Sequence, residues 1–281
     1  QSNLWLIITL SIVAAVLITC ALIYYYWSKN RNSMFRLTWR VMNNAMKIIE
    51  GPKRDRDRDG GKGRQRKRAT VAYALIGTIK AEFVSLKQVR RIRFNEDDMR
   101  FLMNLKRLSH DNLAAFIGVA FNETNTFHIM NALVERGILE EYLKDPDFGF
   151  DETFKSAFMR DICRGLAYLH KSTVGYHGLL NVGNCLIDNN WVLKLSQFGY
   201  TSMLSTMIDG GILEVMPKSR ETVASEGITS LAYLSTAPEM LQGIELLKEF
   251  PKGNAVADIY SLGTVLYCLL TEQPSPFNVK G

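Results

Sequence analysis

The first 28 residues carry no charge and are almost wholly Leu, Ile, Val, Ala, Tyr and Trp. Residues 4–27 as one helix would be about 36 Å long at ~1.5 Å per residue, against a hydrocarbon core of ~30 Å. The pattern predicts a single transmembrane helix over residues 1–28. A signal peptide has a shorter apolar core, a basic flank in front of it and small residues at a cleavage site; this segment has none of these. Tyr24, Tyr25, Tyr26 and Trp27 close the run and Lys29, Arg31, Arg36 and Arg40 follow at once. Interfacial rings followed by positive charge place the C-terminal side in the cytoplasm of a cell-membrane protein crossing once. The chain opens on Gln1 directly at the span, so it reads as a fragment of a longer chain.

Beyond the span, Phe35, Trp39, Met42, Met46 and Ile49 recur at helical spacing on one face. Such a stripe pairs with a second chain, lies in the membrane interface, or packs on its own domain. Residues 51–68 then hold no apolar side chain except Pro52. They cannot bury a core and read as a disordered linker, so 29–68 is taken as a basic juxtamembrane helix plus linker. Its basic end would feel an anionic inner leaflet, or is merely solvated.

From residue 69 to 281 short strand patterns alternate with helical ones. Residues 83–89 and 127–133 read as strands. Residues 95–108, 154–170 and 261–270 read as helices with apolar faces. This is an α+β arrangement, a small mixed β lobe followed by a larger helical lobe.

Charge changes one inference. The chain has a net charge of +6 over 281 residues, but residues 29–68 alone carry 14 Lys plus Arg against 4 acids, which leaves −4 for residue 69 onward. The basic balance belongs to the strip beside the membrane, and a nucleic-acid partner is not expected. Cys20, Cys163, Cys185 and Cys268 form no CxxC pair and no short secreted framework, so they read as small buried hydrophobes in a reducing compartment.

Seven strings in order carry a resemblance: Val84-Ser85-Leu86-Lys87, His110-Asp111-Asn112-Leu113, Gly137-Ile138-Leu139, the run from His177 through Asn184 to Leu186, Ser196-Gln197-Phe198-Gly199, Ala237-Pro238-Glu239 and Asp258-Ile259-Tyr260-Ser261-Leu262-Gly263. Together they resemble the landmarks of the bilobal protein-kinase fold. The resemblance makes Lys87, Asn184 and Leu186 nucleotide-site positions, although a lone lysine is also an ordinary surface residue. It makes Glu239 the anchor of the activation loop and Asp258 the buried acid under the catalytic loop. His177, Phe198, Leu105 and Phe116 resemble the four stacked residues that join the lobes in a switchable kinase, or are ordinary core.

The departures matter more. Leu179 stands where the catalytic aspartate would accept a proton, and leucine has no lone pair to do so. Gln197 stands where an aspartate would hold magnesium, and a neutral amide is a poor ligand for a hard dication. Counting back from Lys87, the glycine-loop positions fall on Lys67, Ala69 and Ala72, none of them glycine. The helix glutamate that would pair with Lys87 falls on Phe101, with Asp97 as the nearest substitute. With several catalytic parts missing at once, the segment is expected to transfer no phosphate, to hold no metal, and to act as a regulatory pseudokinase.

His177-Gly178, Asn184-Cys185, the Ser-Thr-Ala-Pro-Glu string and the single span before Thr38-Trp39-Arg40-Val41 resemble the kinase-homology domain of receptor guanylyl cyclases. That resemblance implies an ectodomain for an extracellular ligand and a homodimer formed through juxtamembrane and downstream helices. It also implies a cyclase domain beyond this segment that uses GTP and Mg2+ to make cyclic GMP, and ATP as a regulator that is not hydrolysed. Gln197 puts the metal-ATP part in doubt, and residues 50–68 hold no Ser or Thr for phosphorylation. The chain stops short of the family's remaining large-lobe helices, so the segment itself makes no cyclic GMP and should expose an apolar face. A pseudokinase scaffold without a cyclase and an active receptor kinase are the alternatives.

Overall fold

A computed structural model describes residues 2–49, 72–216, 230–246 and 248–277. Helix α1, Ser2–Trp39, contains the apolar window Ile7–Lys29, none of it buried, and is long and apolar enough to cross a membrane. It continues past residue 28 without a break and ends at Trp39. The helical stripe expected through Ile49 is not formed: after one turn at Asn43–Ala45, Met46–Ile49 is a strand, β1. Its residues pair antiparallel with β2, Tyr73–Ile76, in the register Met46 to Ile76 and Ile49 to Tyr73. Pairing with a sheet satisfies backbone groups that an isolated short helix would leave to water, and Met46 packs beside Ala74 and Ala81. The folded sheet therefore takes in residues well before 69. The basic segment 51–68 lies outside the described residues, and so do Lys67 and Ala69.

The hairpin turns through Gly77, whose φ of 59° suits glycine, into β3, Ile79–Gln88. Helix α2, Glu96–Arg107, starts at a capping box in which Asn95 Oδ1 accepts from Asp98 N–H and Asp98 Oδ2 accepts from Asn95 N–H. β4, Phe116–Ala120, and β5, Thr126–Ala132, complete the order β1-β2-β3-β5-β4. Alternation along β3 and β5 gives the sheet two apolar faces. Leu86, Phe127 and Ile129 join Met99, Leu102 and Leu105 of α2 in one core, while Ala81, Phe83 and Met130 form a separate cluster on the other face.

The chain then passes through β6, Gly137–Ile138, and α3, Leu139–Leu143, into the long helix α4, Glu152–Lys171. Asp151 caps α4, and Phe158, Ile162, Leu166 and Leu169 make its buried stripe. β7, Cys185–Ile187, and β8, Leu193–Leu195, pair with β6 in a small second sheet. Helix α5, Thr201–Asp209, leads to β9, Leu213–Glu214, which adds to the end of β3. Helix α6, Ser230–Leu234, and helix α7, Ala255–Thr271, follow. The main core runs unbroken from Leu86 and α2 through α4 and β8 to Val265 and Leu269 of α7. The outer side of α7 exposes Val256, Ile259, Tyr267 and Leu270. Cys185 and Cys268 are buried and Cys20 lies within the apolar window of α1, but Cys163 on α4 is exposed, contrary to the expectation of a buried thiol there.

Candidate functional site: the cleft between the lobes

The loop that would carry catalysis is held from below by Asp258, only 1% exposed. Its Oδ1 accepts from Gly178 N–H at 2.8 Å, and its Oδ2 accepts from His177 N–H at 2.6 Å and faces His170 Nε2 at 2.9 Å. A carboxylate shared among such donors fixes the loop backbone. Gly178 has φ 86°, and a Cβ there would collide with Thr201 Oγ1. Glycine is thus required both by the left-handed backbone and by the close packing of α5.

Leu179 is 4% exposed and belongs to the apolar core, so the position of the catalytic base is dry and without a proton acceptor on its side chain. Its carbonyl is used instead: Asn181 Nδ2 donates to it at 2.8 Å and Asn184 Nδ2 at 2.7 Å. Asn184, 6% exposed, therefore spends its amide on tying the loop. Leu186 pairs across from Ile138 and packs on Ala114 and Val134.

Four candidate switch residues, Leu105, Phe116, His177 and Phe198, are all buried, at 0%, 3%, 0% and 2% exposure. The His177 and Phe198 rings meet edge to face at 6.2 Å, and Leu105 of α2 lies against Gly199. Burial holds the His177 imidazole down at about 4, with the nearby Asp258 charge opposing that shift. His177 is neutral at physiological pH, its Nδ1 accepting from Leu179 N–H at 3.3 Å.

The structure does not bring Lys87 to this group. Lys87 lies at the exposed end of β3, sharing a face with Ser85 and Phe83, and its Nζ pairs with Glu214 of β9 at 2.8 Å rather than with Asp97 of α2. The β3 residue that reaches the loop is Glu82, opposite Asn131 of β5, whose carboxylate accepts from Ser196 Oγ. Glu82 is five residues from Lys87, about 16 Å along the strand at ~3.3 Å per residue, and on the other face. Only the hairpin turn at Gly77 and the pairing with β5 set this register, and the Val-Ser-Leu-Lys string carries no signal of it. The turn-to-strand count from Gly77 is the sequence feature that points to Glu82.

Gln197 adopts φ 58°, a left-handed conformation strained for a residue with a Cβ. Of the three positions counted back for the glycine loop, Lys67 and Ala69 lie outside the described residues, and Ala72 is a buried residue beside β2. Glu239 sits on the exposed turn Pro238–Leu241, at the surface and apart from the other site residues.

Magnesium-bound ATP does not fit the described residues. Leu179 and Gln197 supply no carboxylate for a hard dication, Asn184 is bonded to the loop, and the β3 side chain that reaches Ser196 is the carboxylate of Glu82 rather than a lysine that could meet phosphate. Among the described residues no group of three His, Cys, Asp or Glu side chains is placed to hold a metal. The arrangement is a scaffold braced by Asp258, Asn181 and Asn184, with His177 Nε2, Tyr200 OH and Thr201 Oγ1 buried and unpartnered beside it among the described residues.

Residues 67–280 match the protein kinase domain family. The chain is 38% identical over 268 residues to the receptor-type guanylate cyclase gcy-10 of Caenorhabditis elegans, covering 89% of this chain and 25% of that protein. It is 39% identical over 261 residues to gcy-27 of the same organism, covering 87% of this chain and 35% of the relative. A third, gcy-23, is 34% identical over 211 residues. The chain thus spans about a quarter to a third of the first two relatives' length. It belongs to the protein kinase domain family and corresponds to the kinase-homology segment of receptor-type guanylate cyclases.

Proposed function

We propose that this segment is the non-catalytic, regulatory pseudokinase of a single-pass receptor guanylyl cyclase, lying on the cytoplasmic side of its span. It relays the binding of an extracellular ligand to a downstream domain that converts GTP to cyclic GMP. The observation that carries this reading is a contrast at one site: Asp258 and Asn184 brace the loop backbone, while Leu179 and Gln197 replace the groups that would do chemistry. Removing one catalytic group of a kinase commonly costs several powers of ten, so a site lacking several is a scaffold. The likeness to proteins named receptor-type guanylate cyclases supplies the output.

The relay works through two packings of a homodimer, which the ligand biases by its differential affinity for them. The basic strip after the span faces the anionic leaflet. Regulation proceeds without metal-ATP in the cleft, since the described residues do not fit that group.

Reading the transcript past Gly281 and assaying membranes that carry the full product for GTP turnover tests this. A helix followed by a domain with two metal-binding aspartates, and cyclic GMP, are expected. A stop codon soon after residue 281 would replace this reading with a membrane pseudokinase acting by binding. Phosphate transfer from radiolabelled ATP that disappears in Lys87→Ala would replace it with an active kinase.

A further inference from the structure

The junction between span and lobe is rigid in its chemistry. α1 ends at Trp39, whose side chain is 1% exposed inside the small lobe. Its indole meets Phe94 edge to face at 5.4 Å, just ahead of α2, and stacks on Phe121, just after β4, at 6.1 Å and 14°. Phe94 and Phe121 in turn meet at 5.0 Å, closing an aromatic triad. The backbone on either side is fixed as well. Arg40 bridges in parallel to Val119, and Val41 N–H donates to Val119 O at 2.9 Å. The Arg40 guanidinium lies 4.7 Å above the Phe121 ring and 3.7 Å from Glu123, which also accepts from Asn43 N–H at 2.6 Å. Gly118 of β4 permits this approach, because a Cβ there would strike the Trp39 carbonyl.

We infer that Trp39 is the anchor through which the orientation of the membrane helix is imposed on α2. The chemistry behind this is simple. A helix without a break turns as one body, so rotating the span rotates its last residue. That residue is clamped by an aromatic triad whose edge-to-face and stacked ring pairs add to the burial of its area. α2 and β4 are themselves tied, since Lys106 Nζ donates to Ile117 O at 2.6 Å. From α2 the packing continues through Leu105 to Gly199, from Phe198 to the His177 ring, and from the His177 and Gly178 amides to Asp258 on α7. The path is contiguous from the bilayer end of the chain to its last helix. The indole Nε1–H is buried without an acceptor among the described residues, a cost that the aromatic contacts of the docked ring offset.

This inference rests on the relay reading for its purpose, but its test does not pass through a cyclase. The 281-residue chain is placed in lipid nanodiscs with the exposed Cys20 and Cys163 replaced by serine and spin labels at Tyr24→Cys in α1 and Arg107→Cys at the end of α2. Pulsed electron resonance reads the distance between them. A single narrow distribution is expected, kept in Trp39→Phe and broadened at least twofold in Trp39→Ala while the melting of the domain persists. Two alanines inserted after Asn32 turn the span by about 200° at ~100° per residue, so the narrow distribution should move to a new mean without broadening. A broad distribution in the parent chain, an unchanged width in Trp39→Ala, or an insertion that leaves the mean in place would each overturn the anchor. If Trp39→Ala does not fold, the insertion still decides. Any of these results leaves the family assignment untouched, and a failed cyclase assay leaves these distances untouched.

Discussion

Asp258→Ala is the substitution with the largest effect that the structure predicts on stability. The side chain is 1% exposed and its carboxylate accepts from two backbone amides, at 2.6 and 2.8 Å, with His170 Nε2 at 2.9 Å as a third neighbour. The change leaves the His177 and Gly178 N–H groups buried beside an alanine, and an orphaned buried donor costs about 1–3 kcal/mol. Two such groups bring the expected loss to about 4 kcal/mol. In a domain of this size each kcal/mol moves the midpoint by ~2–4 °C, so the lobe should melt about 8–16 °C lower. Asp258→Asn keeps one acceptor oxygen and should cost about half as much, near 2 kcal/mol. Urea and thermal unfolding of the nanodisc-embedded chain, followed by circular dichroism, measure both. An Asp258→Ala chain within about 1 kcal/mol of the parent would refute the claim that this carboxylate holds the loop.

Phosphate transfer should be undetectable with radiolabelled ATP, and the double change Leu179→Asp with Gln197→Asp should not restore it, because Lys87 remains at the exposed end of β3; incorporation above background in either chain would contradict the register. The Lys87 and Glu214 side chains are 57% and 55% exposed, and an exposed pair contributes at most about 1 kcal/mol, so Lys87→Ala should shift the urea midpoint little and a large loss would count against it. Because His177 is held at about 4 in the folded lobe and ionises near 6.5 when unfolded, the unfolded chain binds the extra proton between those values. Its contribution is fully present above pH ~6.5 and is lost as pH falls toward 4, about 3 kcal/mol in all, and His177→Leu should flatten that part of the stability profile. Gln197→Gly should raise stability by about 1 kcal/mol by relieving the left-handed strain, and a loss of that size would show that the amide makes a needed contact.

The helices and the loop were legible because their signals are local. The helix read over residues 95–108, the stripe of α4 and the Asp258 string each declare themselves within about twenty residues, and all three lie where the pattern places them. What escaped is set by pairing between distant segments. Met46–Ile49 keeps an apolar spacing that suits a helix, and only β2, some 25 residues on and beyond a basic segment, makes it a strand. Lys87 sits in a string of the right composition, but strand period two and the hairpin turn at Gly77 put it on the face away from α2. Glu82 and Glu214 attract no attention in sequence, because their partners, Ser196 and Lys87, are more than 100 residues away. Trp39 was visible as one member of a stripe, and its burial in an aromatic triad follows from Phe94 and Phe121, which no local period links to it.

Under the proposed function a braced but chemically silent lobe governs a cyclase. The most direct measurement is cyclic GMP formation by membranes carrying the complete parent chain, compared with the same chain bearing Asp258→Ala or Trp39→Ala, expression being matched and ATP phosphotransfer measured alongside. GTP turnover in the parent, a change of at least threefold in both variants, and no phosphotransfer in any are expected. Absence of cyclic GMP in the parent, or output that ignores both substitutions, would contradict it.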